Sequence, residues 1–136
     1  MYTPVSSRAA SVYRQVGVQS SVDGASPHQL IQMLFEGLMQ SLNAARGSMQ
    51  RGEVEEKGRH LGKAVRILEE GLKGGLNPVQ GGELAGNLRA LYDYCVSRLT
   101  MANLRNDLSL VEEVVTLIVP VAQSWNEIGA ETRRPV

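Results

Sequence analysis

Ser26–Gly52 reads SPHQLIQMLFEGLMQSLNAARGSMQRG. Ser26 is a favourable N-cap, Pro27 stands at the first helical position where a missing N–H costs nothing, and Gln29 sits where its side chain can reach back to the cap. Behind that start, Ile31, Leu34, Phe35, Leu38, Leu42, Ala45 and Met49 recur three and four apart, so they share one face of an α-helix. Arg51 places a cation in the last turn and Gly52 a residue that tolerates the left-handed conformation, and the helix is predicted to stop there.

The same reading extends downstream. Glu53, Glu55 and Glu56 suit the positive end of a second helix. Its stripe is narrower: Val54, Leu61, Ala64, Val65, Leu68, Leu72 and Leu76. Gly58, Gly62 and Gly71 each weaken it by roughly 1 kcal/mol, and Gly74-Gly75-Leu76-Asn77-Pro78 is a turn cluster. A third helix, from about Gly81 to Arg105, carries Leu84, Leu88, Leu91, Cys95, Leu99 and Ala102 inward. A fourth is predicted to open at the Ser109-x-x-Glu112 capping box and run to about Ile128. Its apolar residues, from Leu110 to Ile128, span roughly 160° against the ~100° a surface helix needs, which asks for a second covering surface. Pro120 lies within it, removes the hydrogen bond to the Thr116 carbonyl, and is predicted to kink it.

Upstream, Ala9, Val12, Tyr13 and Val16 fall at i, i+3, i+4 and i+7. About ten residues cannot hold a helix alone, since nucleation is costly. A helix there has to dock on something. The expectation is therefore all-α: an antiparallel up-down-up-down four-helix bundle forming one domain over 1–136, with 1–25 as an N-terminal cap segment and 129–136 as a flexible tail.

Composition narrows the function. The chain has 136 residues, 43% apolar and 21% charged, enough for a packed interior and unlike a disordered tract. Its 14 Lys and Arg balance 14 Asp and Glu, which argues against a backbone-tracking nucleic-acid binder. No stretch reaches the ~18 uninterrupted apolar residues expected of a membrane span. One cysteine, Cys95, rules out an intrachain disulfide and suits a reducing cytosol. It falls on the apolar stripe, as a small buried hydrophobe. There is no HExxH, P-loop, GxGxxG or Glu-x-x-His pair, so no metal or cofactor is expected. Arg59-His60-Leu61-Gly62-Lys63-Ala64 loosely resembles the surface histidine motif of phosphotransfer domains, with His60 as acceptor. In this sequence, however, the Lys and Gly are transposed, and Leu61 directly follows His60.

What a four-helix core leaves over is apolar surface. Ala90, Tyr94, Met101 and Leu104 form a second ridge on the third helix, and Ile67 points away from the second helix's own stripe. Such ridges are what helix-in-groove recognition uses. A structural bundle that self-associates through them weakly is a further alternative.

Several blocks resemble the flagellar secretion chaperone (FliS) family: Met1-Tyr2-Thr3, Tyr13 with Gly17-Val18, Ser26-Pro27-x-Gln29-Leu30-Ile31-x-Met33-Leu34-Phe35-x-Gly37, Lys63-Ala64 and Gly82-Glu83-Leu84-Ala85-x-Asn87-Leu88. The later Leu91-Tyr92-x-Tyr94, Ala102-Asn103-Leu104-Arg105-Asn106-Asp107, Val111-Glu112-Glu113-Val114 and Trp125 continue the match in order. The resemblance implies a cytosolic, non-enzymatic chaperone. It would bind the disordered C-terminal segment of flagellin, prevent premature polymerisation, and assist delivery to the flagellar type III export gate. It also implies that the segment around Tyr13 covers part of the binding surface. The residues expected to meet the client are Tyr13, Ile67, Ala90, Tyr94, Met101 and Leu104, with a contact beside the fourth helix at Leu117 and Val121. Neither nucleic acid nor membrane insertion is expected.

Overall fold

The computed structural model describes residues 24–132. Among them are four helical units: α1 (Pro27–Gln50), α2 (Val54–Arg66 continued by a π-helical stretch, Ile67–Lys73), α3 (Pro78–Arg105) and α4 (Leu108–Thr132). Short links join them, and each packs against two neighbours in a ring, α1 on α2 and α4, α3 on α2 and α4. That is the all-α bundle expected.

The caps explain most boundaries. At α1, Ser26 Oγ accepts from Gln29 N at 3.1 Å while Ser26 N donates to Gln29 Oε1 at 2.8 Å, so the predicted capping box is complete. Its far end closes with Gly52 at φ 72° and Glu53 N bonded to Ser48 O at 2.8 Å, a left-handed stop of the Schellman type. The end of α3 repeats the device with Asn106 at φ 53° and Asp107 N donating to Ala102 O at 3.0 Å. α4 then starts two residues earlier than its capping-box pattern predicts. Asp107 Oδ1 accepts from both Ser109 N at 3.0 Å and Ser109 Oγ at 2.6 Å, so a carboxylate, the stronger acceptor, displaces Ser109 as the cap.

Leu34, Leu38, Leu42, Leu61, Leu68, Leu99, Val111, Val114 and Ile118 form the core with Cys95 and Tyr92. Three residues depart from the helical-wheel reading. Ile67 is 1% exposed rather than outward. The π stretch packs against both α1 and α3, so its covered arc is wide enough to take Ile67 as well as Leu68, Gly71 and Leu72. Leu84 is exposed instead of core, because Gly82, at φ 53° and ψ −127°, kinks the start of α3 and breaks the phase there. That conformation is closed to residues with a Cβ. Val54 is exposed as well, standing at the first position of α2, beyond the core.

α4 continues through Pro120 to Thr132, past Ile128, where the sequence reading ended it. By length and composition it would be long and apolar enough to cross a membrane. It is one wall of the bundle, with Leu110, Val111, Val114 and Ile118 buried. At the open end, Trp125 stacks on His28 with ring centroids 4.5 Å apart, and its Nε1 donates to His28 O at 3.0 Å. This ties the start of α1 to the end of α4. Gly129 belongs to the same joint, since a Cβ there would collide with the His28 ring.

Candidate functional site

α3 presents its inner stripe to the core and leaves an outer one uncovered. Ala90, Tyr94 and Leu104 are exposed, Leu104 by 81%, and Met101 is half-buried against the core edge. These four candidates therefore lie on one face. Leu117, on the neighbouring α4, is half-buried beside the core, and Val121 lines a small apolar cavity of about 110 Å³ with Tyr92, Leu88 and Trp125. Ile67 drops out of the surface, because it is sealed in the core. Tyr13 lies outside the described residues.

A polar clamp crosses from α3 to α4 at the middle of the ridge. The Tyr94 hydroxyl donates to Glu113 Oε2 at 2.5 Å, and Arg98 Nε donates to Glu113 Oε1 at 2.7 Å. Arg98 also lies over the Tyr94 ring, with Cζ 5.5 Å from the centroid. The Tyr94 hydroxyl, and then Arg98, hold the Glu113 carboxyl below the usual carboxylate range. The same bond to Glu113 pushes the Tyr94 phenol up. A lowered folded pKa means that the clamp contributes above the ordinary carboxylate range and is lost as pH falls through that lowered value. The clamp ties Tyr94 to α4 at the middle of the ridge.

Sequence reasoning missed a second groove. Between α1 and α4, a trough of about 400 Å³ has Phe35, Met39 and Ala122 among its lining, with Gln32, Glu36, Gln40, Gln123 and Asn126 around them. Gln32 Nε2 donates to Asn126 Oδ1 across it at 2.9 Å. The over-wide apolar arc of α4 was its one signal, since Ala122 on that arc lines the trough.

His60 Nε2 is 3.9 Å from Glu56 Oε2, and a carboxylate at that distance would repel an incoming phosphoryl group. Among the described residues no three His, Cys, Asp or Glu side chains converge as metal ligands. Cys95 is fully buried and its thiol is pushed up to about 11, first by desolvation and then by Glu113.

The sequence that builds this bundle matches known proteins over most of its length. The family described as Flagellar protein FliS matches residues 9–132. The flagellar secretion chaperone FliS of Salmonella typhimurium is 48% identical over 129 residues, covering 95% of this chain and 93% of that protein. FliSB of Pseudomonas aeruginosa, likewise a flagellar secretion chaperone, is 45% identical, covering 90% of this chain and 96% of the relative. At greater distance, Bacillus subtilis FliS is 32% identical over 85% of each chain. This chain belongs to the FliS family of flagellar secretion chaperones.

Proposed function

We propose that this chaperone binds the C-terminal segment of flagellin in the cytosol, without catalysis, keeps it from polymerising, and assists its delivery to the flagellar export gate. The observation that carries the reading is the ridge of Ala90, Tyr94, Met101 and Leu104, left uncovered after the bundle has closed. A disordered segment that folds on binding buries about 1,000–3,000 Å² in total to offset its ordering cost. One trough of about 400 Å³ is too small for that. The ridge, the edge near Leu117 and Val121, and the α1–α4 groove are the apolar surfaces such a client would use together. The segment around Tyr13 acts as a displaceable cover, so deleting residues 1–17 should raise the fluorescence of a dye that reports apolar surface. An unchanged signal would remove the cover.

The decisive measurement is affinity for a flagellin C-terminal peptide. Tyr94→Glu combined with Met101→Glu should weaken binding at least about tenfold, because each introduces a charge that docking would desolvate. Tyr94 is exposed and Met101 is half-buried at the core edge, so circular dichroism is recorded alongside to show that the double variant keeps its native helicity. A folded double variant that binds as tightly as the parent would refute the ridge.

A further inference from the structure

The trough between α1 and α4 lies where the charges of the chain are one-sided. From Pro27 to Ala45 the sequence of α1 has a single Asp, Glu, Lys or Arg, which is Glu36. Along Leu108–Thr132, α4 has Glu112, Glu113, Glu127 and Glu131 and no lysine or arginine, so all 14 cations of the chain lie elsewhere. Glu113 is turned to α3, where Tyr94 and Arg98 hold it. Glu112 is about 22 Å from Glu127 along the helix axis, well away from the trough.

Glu36 is exposed at the rim of the trough, and Glu127 is exposed one turn beyond Gln123 on the same side of α4. Neither makes an ion pair among the described residues. The nearest cation on α1, Arg46, is about 15 Å further along the axis, with its Nη1 bonded to Asn43 Oδ1 at 3.2 Å. Phe35 is buried and Met39 and Ala122 are half-buried, so the floor is apolar, whereas Gln40 and Gln123 are exposed at the rim. Their side-chain carbonyls are acceptors without a donor among the described residues. Such a trough suits a long aliphatic side chain with a cation at its tip, which lays its methylenes on the floor and keeps its charge at the rim. A neutral apolar side chain would take water from Glu36 and give nothing in return, and an acidic one would be repelled.

We infer that the trough is a subsite for a lysine or arginine side chain of the client, its methylenes along Phe35, Met39 and Ala122 and its charge at Glu36. This rests on the chaperone reading above and specifies the residue class that the client presents to this groove. Glu127 supplies the second negative charge of that edge. A second copy of this chain fits less well, because docking trough to trough about a two-fold axis would set carboxylates of the two copies against each other.

The test is calorimetric titration of the full chain with a synthetic peptide of about forty residues from the flagellin C-terminus, and with versions in which each lysine or arginine of the peptide is replaced in turn by glutamine. Glu36→Gln should weaken binding of the unmodified peptide about threefold and Glu36→Lys about tenfold, while Glu83→Gln, at an exposed acid near the start of α3, should change nothing. One peptide replacement should cost about threefold against the parent chain and nothing against Glu36→Gln, which identifies the side chain in the trough. If the peptide binds equally to the parent and both Glu36 variants, or if no replacement couples to Glu36, the subsite is overturned while the chaperone reading stands. If the parent ignores the peptide, the chaperone reading falls and takes the subsite with it. If Glu36→Gln instead tightens binding and deletion of residues 1–17 abolishes that difference, the occupant is the chain's own N-terminal segment and the inference is overturned. A parent that light scattering finds dimeric, with Glu36→Lys monomeric, would assign the trough to a second copy and overturn it too.

Discussion

Lys57→Ala should lower the free energy of unfolding by about 4 kcal/mol, whereas Lys57→Met should lose about 1.5 kcal/mol. Lys57 is 5% exposed, a rare burial for an ammonium group. Its Nζ donates to Asn103 O at 3.1 Å and to Asn106 Oδ1 at 3.3 Å. The first is one of the orphan carbonyls at the end of α3, where a cation is favoured by the helix dipole. The second fixes the one non-glycine residue with positive φ among those described. Hydrogen bonds from a charged donor contribute about 1.5–3 kcal/mol, and each buried methylene of the stem about 0.8 kcal/mol. Methionine keeps most of the stem and gives up the bonds; alanine gives up both. Urea denaturation of the three proteins separates the contributions. Equal stability of the parent and Lys57→Met would mean that the tie to the α3–α4 turn contributes nothing.

In native buffer at pH 8, a maleimide should modify Cys95 at least about a hundredfold more slowly than in the urea-unfolded chain. A thiol pushed up to about 11 is ionised only about once in 1,000 at that pH, against about once in four for an ordinary thiol near 8.5. Complete burial adds a steric barrier. Labelling should therefore report opening of the bundle, and its rate should rise with urea in step with the loss of helicity. Rapid stoichiometric labelling of the native chain would show that the core around Cys95, Leu99 and Tyr92 is looser than its packing implies.

The sequence made local features legible. Ser26, Pro27 and Gln29 act within one helical turn, and so does Gly52, and the start and stop of α1 follow from them alone. The stripe through Leu34, Leu38 and Leu42 follows from spacing, as does the exposure of Ala90, Tyr94 and Leu104. What escaped depends on neighbours. Ile67 was assigned to the surface because a single wheel cannot know that two helices cover the segment. Leu84 was assigned to the core because the wheel assumes an unbroken axis through Gly82. The Lys57 tie spans 46 residues and the Tyr94–Glu113 bond 19. Both depend on how far one helix slides along another, which no local pattern encodes. The α1–α4 groove is of the same kind, since Met39 and Ala122 meet only once that slide is fixed.

The stack of Trp125 on His28 brings the two ends of the described chain to one pole of the bundle, while the α1–α2 and α3–α4 turns occupy the other. Covalent order along the backbone is then nearly interchangeable with spatial order around the ring. A circularly permuted form of residues 24–132, with residues 24 and 132 joined by a short flexible linker and new ends opened at Gly52, would keep every helix–helix pairing intact. For the same reason, a tether reaching the bundle at residue 24 or 132 holds it by that pole and leaves the long sides of the bundle unobstructed.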